Sequence, residues 1–154
     1  MSRAEADTRS LVLERQLPHP PEKIWRALTE NSLLEQWFMQ NDFLPVVGHR
    51  FQFRAEPRPH WNGVTDSEVL EVAPNERLAY TWDASGEEAA GGLKTVVTWT
   101  LTPTSEGTQV RMEHSGFRPE EDTRNLEGAR FGWPRFLEGL ERVVADLDTE
   151  PRAR

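Results

Sequence analysis

The chain has 154 residues, with 18 Lys and Arg against 26 Asp and Glu, for a formal net charge of -8. That length suits one ordinary domain, and the acidic balance argues against a nucleic-acid surface, which concentrates cations against phosphate, and against docking on anionic membrane, which rewards Lys/Arg clusters. There is no cysteine, so disulfide scaffolds, zinc-thiolate sites and thiol nucleophiles are excluded as well.

Met1 to Ser10 holds no apolar run, so no secretory leader is expected there. No stretch approaches the roughly 18 apolar residues of a membrane span. The expectation is a cytoplasmic protein with a flexible N-terminus over 1–10, one domain over 11–147 and a flexible tail over 148–154. Apolar residues make up only 36% of the chain, but six Trp, seven Phe and one Tyr can each bury roughly 150–250 Å². That is enough for a single core.

Leu11 to Leu17 predicts a strand, with Leu11, Leu13, Arg15 and Leu17 on one face by the period-two rule. Pro18, Pro20 and Pro21 end it and suit the first turn of a helix, in which Ile24, Trp25 and Leu28 are helically spaced. A second short helix over Asn31 to Phe38 carries Leu33, Leu34, Trp37 and Phe38. Gly48 opens a strand with Phe51 and Phe53 alternating with Arg50, Gln52 and Arg54. Thr65 to Val72 forms the next strand, and Leu78, Tyr80 and Trp82 line one face of another. Asp83 to Gly92 reads as a flexible acidic loop. Thr95 to Leu101 and Gln109 to His114 pair through a turn at Thr104–Gly107. Trp133, Phe136, Leu137, Leu140, Val144 and Leu147 then form a helical stripe. Pro134 predicts a kink or restart beside Gly132, with the main helix over about 133–147.

The order is one strand, two short helices, about five strands and a long helix. It predicts an α+β fold in which an antiparallel sheet is covered by the terminal helix. The stretches that carry a resemblance are Arg15 through Pro20 to Thr29, Leu34 to Phe38, Glu68 to Trp82, His114 to Phe117, and Gly132-Trp133 ahead of Leu137 and Leu140. In that order and spacing the chain resembles the SRPBCC or START-like superfamily. More narrowly, it looks like the activator of heat-shock protein 90 ATPase homologue-like family. The resemblance implies a helix-grip (START/Bet v-like) fold: a curved antiparallel sheet of about six strands around the C-terminal helix, with a cavity between. His49 after Gly48, Ser67 where a glycine is common, and Pro134 depart from the family pattern.

The candidate lining of that cavity is Trp37, Phe51, Phe53, Trp82, Trp99, Met112, Trp133, Phe136 and Leu137, since small-molecule sites are concave and mostly apolar. The same residues also suit a solid core. Arg15 stands on an apolar face, where a guanidinium needs a carboxylate. Glu68 on a neighbouring strand is one partner, and the carboxylate of a ligand is the other. His114 shares a face with Val110 and Met112 and reads as a hydrogen-bonded core residue or as a general base in the cavity. His19 and His60 read as loop residues, and Trp61 serves either a homodimer contact or the pocket mouth. No metal-ligand spacing, serine elbow or phosphate loop occurs, so neither a metal nor a cofactor is expected. Glu120, Glu121 and Asp122 suit a helix N-terminus.

The leading expectation is a binding protein for a small apolar or amphipathic molecule, with no nucleic-acid or membrane partner. An interaction protein of the chaperone-accessory type is the second expectation. Full co-chaperones add an N-terminal domain to this module, so ATPase activation is not expected. A cyclase or hydrolase-like enzyme using His114 is the third.

Overall fold

The computed structural model describes residues 9–57, 62–84 and 93–147. Residues 1–8 of the N-terminus expected over 1–10, residues 85–92 of the loop expected over 83–92, His60, Trp61 and the 148–154 tail lie outside these, while Arg9, Ser10, Asp83 and Ala84 stand in strands. Strand β1 (Arg9–Leu17) leads into helices α1 (Pro21–Thr29) and α2 (Asn31–Trp37). Strands β2 (Gln40–Asn41), β3 (Arg50–Arg54), β4 (Val64–Ala73), β5 (Arg77–Ala84), β6 (Lys94–Thr104) and β7 (Gly107–Phe117) follow, and α3 (Thr123–Asp146) closes the chain. All seven strands join one antiparallel sheet in the order β1-β7-β6-β5-β4-β3-β2.

The sheet is therefore a meander from β2 to β7 to which the first strand returns. Its buried face alternates as a half-buried sheet requires: Phe51 and Phe53, Thr65, Ser67 and Val69, Val97, Trp99 and Leu101, Val110, Met112 and His114. A register shift between Val69 and Glu71 bends the sheet there. Asn75 makes the β4–β5 turn at φ 67, a left-handed position that Asn tolerates better than most residues. Pro21 stands at the start of α1 after Pro20, where its missing donor would be unpaired in any case.

Two expectations are corrected. The sheet has seven strands rather than about six, because the two-residue β2 is too short to show a period. The last helix neither restarts nor begins at 133; it is continuous from Thr123 with Pro134 inside. A proline in a helix costs about 3 kcal/mol. Against that, Leu126, Trp133, Leu137, Leu140, Val143 and Val144 are all buried along one stripe, each worth roughly 1.5–3 kcal/mol. Packing outweighs the break. Asp122, just before the helix, is buried and accepts from the Arg118 backbone N–H (2.8 Å), Nε (2.9 Å) and Nη2 (2.8 Å). It ties the β7–α3 corner and makes no side-chain cap of the helix. Burial raises its pKa, but the Arg118 bonds outweigh burial and leave it lowered.

Candidate functional site

Between the sheet and α3 lies a continuous aromatic cluster. Phe38, at the C-terminal end of α2, is its hub. Its ring centroid lies 4.9 Å from Trp37, 4.8 Å from Phe53, 5.6 Å from Trp82, 5.4 Å from Trp133 and 4.6 Å from Phe136. Such spacings are those of favourable stacked and edge-on ring pairs. A second group, Phe43, Phe51, Phe53 and Tyr80, continues it along β3 and β5 at 5.1–6.4 Å. Most of these rings are buried, while Trp82 and Phe136 are only partly so. The cluster thus reaches solvent beside Phe38, between β5 and α3.

The buried indoles are hydrogen-bonded. Trp37 Nε1 donates to the Ala27 carbonyl at 2.8 Å, and Trp99 Nε1 to the Tyr80 hydroxyl at 3.0 Å. Tyr80 is fully enclosed, and burial pushes its pKa well above the ordinary phenol value despite the bond from Trp99. Trp133 Nε1 donates to His114 Nδ1 at 3.0 Å. An indole N–H can only donate, so Nδ1 accepts and the imidazole proton sits on Nε2. That nitrogen faces Thr95 Oγ1 at 2.8 Å, and the Thr95 hydroxyl in turn donates to the Trp82 carbonyl at 2.6 Å. One directed chain of bonds therefore links α3, β7, β6 and β5. Burial lowers the His114 pKa to about 3, so the ring is neutral at ordinary pH.

The sequence-predicted residues divide cleanly. Trp37, Phe51, Phe53, Trp99, Met112, Trp133 and Leu137 lie in one buried cluster, with Trp82 and Phe136 packed on it. His114 joins them through Trp82 (5.7 Å between ring centroids) and Trp133 (6.0 Å). Arg15 is the exception. It is half-exposed, and its Nε lies 3.6 Å from Glu141 of α3, not against Glu68, which pairs instead with Arg50 at 3.7 Å. The long Arg side chain leaves its apolar strand face for the rim, where Glu141 already balances its charge. A carboxylate anchor inside the cluster is not what this geometry offers.

Sequence reasoning left Phe38, Tyr80, Thr95 and Ser67 out of the site. The two-residue alternation that placed Val97 and Trp99 inward also places Thr95, and it places Ser67 between Thr65 and Val69. Phe38 adjoined Trp37 in a predicted stripe, yet nothing local marks it as the hub. Among the described residues no group of three or more His, Asp or Glu is placed to hold a metal ion. No helix among them is long and apolar enough to cross a membrane.

Residues 18–145 match the family described as Activator of Hsp90 ATPase homolog 1-like protein. The crystal structure of protein MLL2253 from Mesorhizobium loti is 53% identical with a TM-score of 0.82, over 91% of this chain and 99% of that one. DynU16, from the dynemicin biosynthetic locus, is 25% identical with a TM-score of 0.70, over 91% of this chain but 48% of its own. The solution structure of the Aha1 dimer from Colwellia psychrerythraea is 24% identical with a TM-score of 0.73, over 88% of this chain and 96% of that one. Among curated proteins none matches the chain.

Proposed function

Given that this chain belongs to the Activator of Hsp90 ATPase homolog 1-like family, in its helix-grip fold, we propose that it binds a small apolar or amphipathic molecule between sheet and terminal helix. The observation that supports this is the ring cluster around Phe38, whose outer members Trp82 and Phe136 are partly exposed. A flat apolar molecule can make ring contacts of the same kind as those around Phe38. The protein acts by holding its ligand in the cytoplasm, with no reaction and no cofactor. A His114-based enzyme is disfavoured because both imidazole nitrogens are engaged and neither has a lone pair free for a substrate proton.

Native mass spectrometry on freshly purified protein tests this, followed by denaturation and analysis of what is released. The expected outcome is a stoichiometric small-molecule adduct. A clean ligand-free mass, repeated after incubation with a panel of lipids and aromatic compounds, would overturn it.

A second reading rests on a separate observation. Leu44, Val46, Val47 and Leu70 are exposed, and the loop holding the first three is pinned beside Leu70 by Gly48 N–H to Val69 O and Val69 N–H to His49 O. Contiguous exposed apolar side chains mark protein contacts more often than chance. Since the Colwellia relative is a dimer, a homodimer through this patch is the reading it favours. Sedimentation of Val46→Glu/Val47→Glu beside the wild type decides it, with dimer loss expected only in the variant. For the chaperone-accessory role, an unchanged chaperone ATPase rate at saturating protein would be disqualifying.

A further inference from the structure

Ser67 sits on the buried face of β4 at the centre of four rings. Phe51 of β3 is directly opposite on one side, and the β4–β5 register that pairs Asp66 with Asp83 and Val69 with Tyr80 sets Trp82 opposite on the other. Phe53 is paired with Thr65, one step along the same face. Because Thr65 and Ser67 are small, rings from β3 and β5 meet across β4: Phe53 is 5.7 Å from Tyr80 and 5.4 Å from Trp82, and Phe51 is 5.7 Å from Tyr80. Ser67 is 5% exposed, and its Oγ has no hydrogen-bond partner among the described residues.

Five of the other buried polar side chains differ in this respect. Thr95, Thr108, His114, Asp122 and Lys23 each have a named partner. An unpaired buried hydroxyl lowers stability, and alanine would fill the same space without that cost. Nothing among the described residues supplies that partner, which leaves a group from outside the chain, a water or a ligand. The surroundings also define its chemistry. Lys23 is engaged by His19 and Asp122 by Arg118, while Arg15 is balanced by Glu141 at the rim. Among the described residues no uncommitted buried charge is left to meet an ionised group, and ring faces and edges favour a flat shape.

We infer that the Ser67 hydroxyl is the polar anchor of the ligand site, and that it selects a neutral, flat molecule bearing one hydroxyl or carbonyl seated among Phe51, Phe53, Tyr80 and Trp82. This inference rests on the ligand-binding reading above and adds to it the class of ligand.

Calorimetric titration with 2-naphthol, naphthalene and 2-naphthoate tests it. Wild type should bind 2-naphthol about tenfold more tightly than naphthalene, the scale of one hydrogen bond, and 2-naphthoate most weakly. Ser67→Ala should erase the naphthol preference while leaving naphthalene affinity within about twofold. Ser67→Gly should repeat the pattern. The ligand-free melting temperature of Ser67→Ala should match or exceed that of wild type. A naphthol preference that survives Ser67→Ala overturns the anchor and leaves ligand binding standing. A clear fall in the ligand-free melting temperature also overturns it, since the hydroxyl would then be satisfied within the fold by a bound water. Failure of the wild type to bind any of the three probes overturns this inference and leaves the broader ligand-binding reading to the native-mass test above.

Discussion

His114 is neutral because of where it is buried, and its bonds fix which nitrogen carries the proton. Its pKa of about 3 lies below the 6.5 of an exposed imidazole. The unfolded chain accordingly takes up a proton that the folded chain refuses. The contribution of this residue to stability is complete above pH 6.5 and is lost as pH falls from there toward 3. Its carbon-bound ring protons should hold constant NMR shifts from about pH 8 to about pH 5; a midpoint within that window would defeat the assignment. The urea midpoint should hold above pH 6.5 and fall below it, and His114→Gln should flatten the fall. Trp133→Phe removes the donor to Nδ1 and leaves a buried acceptor unpaired, at a cost of about 1–3 kcal/mol in urea denaturation. A cost no larger than that of an ordinary exposed substitution would mean the indole bond adds nothing.

Among the elements, α3 shows how a helix can tolerate glycine for opposite reasons. A Cβ built on Gly139 would lie 3.2 Å from Trp37 Cβ and 3.3 Å from the Trp37 carbonyl oxygen, whereas nothing lies within 4 Å of one built on Gly128. Trp37 cannot easily withdraw, since it bonds Ala27 and packs on Phe38 and Trp99. Gly139→Ala is therefore expected to destabilise by about 1–3 kcal/mol despite its better helix propensity. Gly128→Ala should stabilise by up to about 1 kcal/mol. Paired urea titrations check both, and equal signs would refute the close approach of α2 to α3. These glycines also explain what was legible. Strong alternation gave β1, β3 and β5 to β7 from sequence, and the proline run placed α1. The first turns of α3 were hidden because Gly128, Gly132 and Pro134 break helical propensity locally, while the packing that overrides them is distant. The site divided along the same line. Inward parity found the rings, but Phe38 became the hub and Arg15 swung to Glu141 through tertiary geometry that no local pattern encodes.

At the scale of the whole molecule, the sheet is complete only when the start of the chain returns to its end. Leu17 of β1 pairs with Thr108 at the start of β7, and the Thr108 hydroxyl donates to the His19 carbonyl at 2.7 Å. Gly107 lies against this junction at φ 148, with room for no side chain: a Cβ would fall 2.0 Å from the Leu17 carbonyl oxygen and 2.8 Å from the His19 nitrogen. Gly48 also has a positive φ, 91, but nothing lies within 4 Å of its Cβ position. The two therefore separate backbone strain from collision. Gly48→Ala should cost about 1–2 kcal/mol, the strain of a left-handed alanine alone. Gly107→Ala adds a clash with backbone that cannot rotate away, and belongs with the exceptional losses of roughly 4 kcal/mol or more. The loss should be global rather than local. Parting Leu17 from β7 frees β1 and also the entry to α1, and α1 and α2 bring Ile24, Leu28, Leu34, Trp37 and Phe38 into the same cluster as Trp99 and Trp133. Tryptophan fluorescence and far-ultraviolet dichroism should therefore shift together to lower urea in Gly107→Ala. If the fluorescence midpoint held while dichroism alone moved, the β1–β7 closure would be an ornament on an independent core. The aromatic site would then not depend on the two ends of the chain meeting.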